Sequence, residues 1–93
     1  MNINRDRLLA LLGNDHERVE RFITTFQANL PLLKQSIRTA FESEEWEAAS
    51  IYCHDLKNQA NYLDLPELAV IAYELEQLGE RKEMPGVALL ERL

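Results

Sequence analysis

Apolar residues recur along this chain at spacings of three and four rather than two, and glycines and prolines are few. This periodicity predicts helices and no strands, and so an all-α fold. A short first helix is expected over about residues 4–12, stopping at Gly13. Asn14 or Asp15 is then expected to cap a second helix, whose apolar stripe holds one face over roughly 28 residues.

Pro31 interrupts the apolar stripe of the second helix. A proline removes one backbone donor and presses against the carbonyl four residues earlier. Because the stripe resumes in phase after Pro31, we expect a kink near Gln27 rather than a break in the helix.

The third helix has the most regular pattern. Ser43 is its expected N-cap, and the acidic residues that follow lie where the helix dipole favours negative charge. Its apolar residues are spaced three and four apart, as in a helix packed within a bundle: Trp46, Ala49, Cys53, Leu56, Ala60 and Leu63.

Asp64, followed by Pro66, is expected to cap a fourth helix. The inward positions of this helix are predicted to be Leu68, Ile71, Leu75 and Leu78. Pro85 and Gly86 mark the next break, and a last helix of about two turns is expected over residues 87–93.

Length and charge narrow the class of protein. The chain has 93 residues, enough for one core, so we expect a single domain over residues 1–93. Its net charge of -6 disfavours nucleic acid and anionic membrane surfaces as partners. No apolar run approaches the ~20 residues of a membrane span, and the single cysteine, Cys53, excludes an internal disulfide and a multi-cysteine zinc site. We therefore expect a cytoplasmic protein without a metal.

His54 is the main candidate for chemistry. At roughly 100° per residue, it lies about 140° from the apolar seam of the third helix, which predicts that it points into solvent. An exposed neutral imidazole is a nucleophile through its free ring nitrogen. Lys57, one turn later, brings a positive charge that suits an anionic group such as phosphoryl. On these residues alone, an ordinary solvated helix face is the simpler interpretation.

The same angular argument places other side chains on the outward side within about two turns of His54. An outward isoleucine close to an outward histidine favours a docking surface over a random apolar residue. We expect a partner surface made of Ser50, Ile51, Asn58, Asn61 and Tyr62.

A longer run of residues resembles a known family. The segment His54-Asp55-Leu56-Lys57, followed by Leu63, Leu68 and Leu75-Glu76, is similar to the signature of histidine-containing phosphotransfer domains. That signature reads approximately H-x-L-K-G, then L-G, then a later L and L-E. The leader LLALLGNDHERVERFITTF, the LPLL segment and the EEWEAA segment also resemble the family, so the resemblance spans most of the chain.

The resemblance implies an antiparallel four-helix bundle with a short leading helix that presents one histidine for reversible phosphorylation. It implies that His54 is the phosphoryl acceptor and that Lys57 steadies the phosphoryl oxygens. The exchange partner would be an aspartate of a response-regulator receiver domain, with a hybrid sensor histidine kinase as a further partner. The chain would then be a carrier rather than a self-sufficient enzyme, with no cofactor of its own, and Mg²⁺ would belong to the receiver.

Three positions depart from the family pattern. Asn58 and Asp64 stand where the pattern has glycine, and the last helix is shorter than usual. Asn58 adds a side chain close to the histidine, so an alternative is a phosphotransfer-impaired adaptor that binds a response regulator or sensor kinase. A third alternative is a bundle that only assembles into a larger complex. The short last helix predicts an uncovered part of the seam, and hence either self-association or a chain cut from a larger protein.

Overall fold

The computed structural model describes residues 2–93, and within that range the chain forms helices and no strands. The helices are α1 (Arg5–Leu11), α2 (His16–Glu42), α3 (Trp46–Tyr62), α4 (Pro66–Glu80) and α5 (Val87–Arg92). The predicted all-α class is confirmed, and each predicted helix is present. None of the helices in the described range combines the length and apolar content needed to cross a membrane.

Side-chain caps start the first two helices. The Asn4 side chain accepts a hydrogen bond from the Arg7 backbone N–H at 3.0 Å, and Asp15 accepts one from the Arg18 N–H at 3.1 Å. Each bond satisfies a backbone donor that has no partner within the helix. Asn4 is thus the cap rather than the first helical residue, and of the two expected caps of α2 it is Asp15 that serves.

The helices α1 to α4 all end in the same backbone motif. In each, the second residue after the helix adopts a left-handed conformation, with φ between 56° and 69°, and the next N–H bonds back to a carbonyl in the last turn. These are Schellman motifs, which satisfy carbonyls that the helix leaves free. The left-handed residues at this second position are Gly13, Glu44, Asp64 and Lys82.

Two of the predicted N-caps are wrong, because both residues belong to the Schellman motif that ends the preceding helix. Ser43 is the C-cap of α2, and Asp64 is the left-handed residue that closes α3. The preceding helix runs on until its Schellman motif, so α3 and α4 begin after Glu45 and Leu65, neither of which caps through its side chain. The φ of 56° at Asp64 explains why glycine suits this position. The Asp64 carboxylate instead accepts a hydrogen bond from the Asn4 side chain at 3.1 Å.

The second helix continues through Pro31 as one element of 27 residues, as predicted. The missing donor therefore does not break the helix. The kink near Gln27 stays a prediction.

The core lies between α2, α3 and α4. The α3 seam is confirmed, because Ala49, Cys53, Leu56, Ala60 and Leu63 are fully buried, while Trp46 is half-buried with its ring edge against Phe41. Burial, with a smaller contribution from the charge of Glu76, raises the pKa of the Cys53 thiol to about 12. Such a thiol is a small core residue rather than a nucleophile.

The fourth helix buries more of its surface than the sequence predicts. Ile71 and Leu75 are buried as expected, whereas Leu68 and Leu78 are only half-buried. A second stripe of small residues and one acid is also buried, and it consists of Ala69, Ala72, Glu76 and Gly79. The prediction missed this stripe because small and charged residues carry little hydrophobic signal.

The last helix is as short as predicted, with six residues. Leu93 at its end is buried, and the Arg38 guanidinium donates a hydrogen bond to the Leu90 carbonyl at 3.4 Å. Self-association over this region stays a prediction.

Candidate functional site

The candidate site lies where α3 and α4 pack side by side in opposite directions. Near the start of α3, Ser50 meets Gly79 near the end of α4. One turn further along α3, His54 meets Glu76. This antiparallel contact brings together residues that are 22 positions apart in the sequence.

Glu76 bridges two side chains of α3. Its Oε2 lies 2.7 Å from Nδ1 of His54, and its Oε1 accepts a hydrogen bond from Nζ of Lys57 at 2.8 Å. His54 and Lys57 are three residues apart, so they lie on neighbouring parts of one helix face. A single carboxylate therefore fixes both candidate residues relative to each other.

Exposure differs sharply among these three side chains. The Glu76 side chain is 8% exposed, Lys57 is 21% exposed and His54 is 51% exposed. The carboxylate is thus at the bottom of the site, and the imidazole is at the surface. A partner that approaches α3 would meet the ring of His54 before it met Glu76.

The charge of Glu76 follows from its partners. Burial would raise the pKa of the Glu76 carboxyl, but the hydrogen bonds from Lys57 and His54, together with their charges, outweigh burial and lower the pKa below its ordinary value. The group is therefore a carboxylate at neutral pH. Hydrogen bonds to an ionised acceptor are stronger than those between neutral groups.

The ionised carboxylate decides which nitrogen of His54 carries the proton. A carboxylate only accepts hydrogen bonds, so Nδ1 of His54 must donate to it. In the neutral ring the lone pair is then on Nε2. The result is a half-exposed imidazole with its nucleophilic nitrogen fixed by a buried neighbour, as for metal-binding and catalytic histidines.

Lys57 has a second partner on α4. Its Nζ lies 5.6 Å from the centre of the Tyr73 ring, which is within the range of a cation–π interaction. Tyr73 and Glu76 are three residues apart on one face of α4, and both contact the ammonium group. Tyr73 itself is exposed, and its ring adds to the surface near the site.

The structure agrees with only part of the predicted surface. Ile51, Asn58, Asn61 and Tyr62 are exposed as expected, and the ring of Tyr62 packs edge-on against Phe22. His54 points outward but is only half-exposed. Ser50 and Lys57 are half-buried, and the role of Ser50 in a partner surface stays a prediction. The periodicity of α3 alone does not show that α4 packs along the flank of its seam.

Glu76, Tyr73 and Gly79 were missed as site residues. Glu76 stood in the L-E part of the family pattern, but nothing in the local sequence gave it a role. A usable signal was its position among Ala69, Ala72 and Gly79, where an acid on a stripe of small residues indicates a paired, buried charge. Within residues 2–93, no three or more histidine, cysteine, aspartate or glutamate side chains are grouped to hold a metal ion.

Comparison with known proteins identifies a family. The family model described as Hpt domain matches residues 19–93, which is most of the chain. The matched range contains α3, α4 and the bridge between His54 and Glu76. No curated protein and no solved structure matches the chain.

The bridge predicts a pH-dependent loss of stability in Glu76→Gln. At pH 7 the variant should unfold about 1–2 kcal/mol more easily, because Lys57 and His54 lose a charged acceptor and Lys57 is partly solvated. The pKa of Glu76 is lowered by folding, so its stabilisation is present above the unfolded-state value of about 4.3 and is lost as the pH falls through the folded-state value. The difference between the two proteins should therefore shrink below about pH 4.

Urea unfolding at pH 7 and at pH 3 measures this difference. The control is Glu80→Gln, an exposed acid on the same helix, which should change the free energy of unfolding by less than about 0.5 kcal/mol. A difference for Glu76→Gln that stays constant from pH 7 to pH 3 would contradict the account.

Proposed function

The chain belongs to the family of Hpt domains, and on that premise we propose that it carries a phosphoryl group on His54, in exchange with the aspartate of a receiver domain. The family implies a role in histidine phosphotransfer within a two-component phosphorelay. The observation that carries the proposal for His54 is its hydrogen bond to the buried carboxylate of Glu76 at 2.7 Å. This bond leaves Nε2 as the nucleophile on a half-exposed ring.

The transfer step needs no base. The lone pair on Nε2 attacks the phosphorus of the receiver's aspartyl phosphate, so the Nε2–P bond forms while the bond from phosphorus to the carboxylate oxygen breaks. The carboxylate leaves with the electron pair, and Nδ1 keeps its proton. The ring gains positive charge in this step, and the Glu76 carboxylate at Nδ1 stabilises that charge. The reverse reaction returns the group to a receiver.

Lys57 is proposed to steady the phosphoryl oxygens. An ammonium group has three donors, and the hydrogen bond to Glu76 uses one of them. The other two donors can bind an anionic phosphoryl group on the ring of His54, one turn earlier on α3. Glu76 keeps the ammonium close to His54 before any phosphoryl group arrives, which lowers the cost of ordering a flexible lysine.

The wider proposal concerns the fold and the partners. We infer the antiparallel four-helix arrangement of the family, in which α3 and α4 present the site. The receiver is proposed to dock on the exposed residues around His54, which are Ile51, Asn58, Asn61, Tyr62 and Tyr73. Mg²⁺ would be bound by the receiver, a hybrid sensor histidine kinase is a further partner, and the exchange would take place in the cytoplasm. The chain then acts as a carrier, not as a self-sufficient catalyst.

A second candidate function is an adaptor that binds the same partners but transfers poorly. The observation that favours it is the exposure of Asn58, four residues after His54 on α3. The family pattern has glycine at this position. A side chain on this face adds bulk where a receiver would approach.

Phosphorylation assays with the two histidines of the chain test the main proposal. The purified chain is mixed with phosphorylated receiver domains from its source, and we expect an acid-labile, base-stable phosphoryl label. His54→Ala should abolish the label. His16→Ala should leave the label unchanged, because His16 lies in the first turn of α2, on a different helix from His54. Absence of label with every receiver, or label that persists in His54→Ala, would contradict the proposal.

Asn58→Gly separates carrier from adaptor. If the chain is a proficient carrier, the transfer rate of Asn58→Gly should stay within about threefold of the parent, a difference of less than ~0.7 kcal/mol in the barrier. Asn29→Gly is the control, because it makes the same change at an exposed position of α2, outside the proposed docking residues, and costs a similar ~0.3 kcal/mol of helix stability. A gain of tenfold or more that is confined to Asn58→Gly would favour the impaired adaptor.

A further inference from the structure

Gly79 lies in the last turn of α4 and is buried against α3. A Cβ atom at this position would lie 3.1 Å from the backbone nitrogen of Ser50 and 3.3 Å from its Cα. Both are backbone atoms, which move only if the helix moves. The other two glycines have open space at the corresponding point. Glycine is disfavoured within a helix, so its presence here is explained by the close approach of the two backbones.

This close approach is one turn away from the site. Ser50 precedes His54 by four residues on α3, and Gly79 follows Glu76 by three residues on α4. Because the helices are antiparallel, the contact between Ser50 and Gly79 lies beside the hydrogen bond between His54 and Glu76.

Glu76 is the only long side chain on its stripe of α4. By their spacing, Ala69, Ala72 and Gly79 share this side of the helix, and all are buried. Small residues let two helices approach closely, and the short distance lets both carboxylate oxygens reach α3. The geometry of the bridge therefore depends on what flanks Glu76 as well as on Glu76 itself.

We propose that Gly79 is a positioning residue for His54, because its missing side chain sets the spacing between α3 and α4 at which Glu76 holds the imidazole. The consequence for phosphoryl transfer rests on the proposed function; the consequence for the histidine ring does not. A side chain at Gly79 forces the helices apart beside the bridge. The hydrogen bond of 2.7 Å then lengthens, and the proton is no longer held on Nδ1.

The test compares Gly79→Ala and Gly79→Val with the parent chain. Alanine adds one methyl group and improves helix propensity, so this variant is expected to fold. Valine adds two further carbon atoms against the Ser50 backbone and should separate the helices more. Gly86→Ala is the matched control, because a Cβ at Gly86 meets nothing within 4 Å. Circular dichroism confirms that each variant is folded before it is compared.

The first readout is the tautomer of His54, from the ¹⁵N chemical shifts of its ring nitrogens at pH 9. The parent and Gly86→Ala should show the proton on Nδ1. Gly79→Ala should show a mixture of tautomers, and Gly79→Val should shift further towards Nε2–H. A purely structural role for Gly79 would alter stability without changing these shifts. Unchanged shifts in both folded Gly79 variants would overturn the proposal.

The second readout is the rate of transfer from a phosphorylated receiver. Gly79→Ala should slow transfer about three- to tenfold, as expected from one weakened hydrogen bond, and Gly79→Val should slow it more. Gly86→Ala should match the parent. If the tautomer shifts while the parent itself accepts no phosphoryl group, the proposed function fails and the spacing role of Gly79 stands. If the parent transfers well and the variants keep both its tautomer and its rate, the role of Gly79 is refuted while the proposed function survives.

Discussion

The bridge from Glu76 to His54 and Lys57 is the interaction on which the rest of the site depends. A buried carboxylate is costly unless charged or polar partners compensate for the water it loses. Here both oxygens have partners, at 2.7 Å and 2.8 Å, and both partners come from one face of α3. An ion pair of this kind adds only modest stability, but it fixes the relative positions of its partners. The bridge specifies which side of α3 faces α4 and which nitrogen of His54 faces outward.

This arrangement divides the chemistry between two helices. On α3 are the proposed acceptor and the cation beside it, while α4 supplies the carboxylate and the ring of Tyr73, which contacts Lys57. Neither helix forms the site alone, so the packing of α3 on α4 is a functional constraint as well as a structural one. The exposed imidazole can be reached by a second protein, and the buried carboxylate below it holds the ring in place. The partner can then supply the remaining catalytic groups.

Much of the fold could be predicted from the sequence, because the spacing of apolar residues indicates which helix positions are buried. The seam from Ala49 to Leu63 and the outward direction of His54 were predicted correctly, and Asp15 is one of the two caps expected for α2. The predicted caps at Ser43 and Asp64 were wrong, since a left-handed backbone after a helix has no clear signal when the residue is not glycine. The half-burial of Lys57 and Ser50 was not predicted, because the periodicity of one helix does not show where a neighbouring helix packs. Glu76 was missed as a partner because its contact with His54 depends on the packing of two helices.

We propose that Glu76 holds the proton on Nδ1 of His54 and leaves Nε2 to carry the phosphoryl group. The most direct measurement is a ¹⁵N and ³¹P NMR spectrum of the phosphorylated chain with labelled histidine, which identifies the nitrogen bonded to phosphorus. We expect the phosphorus to couple to Nε2 of His54 while Nδ1 stays protonated. A phosphoryl group on Nδ1 of His54, or on another residue, would contradict the account.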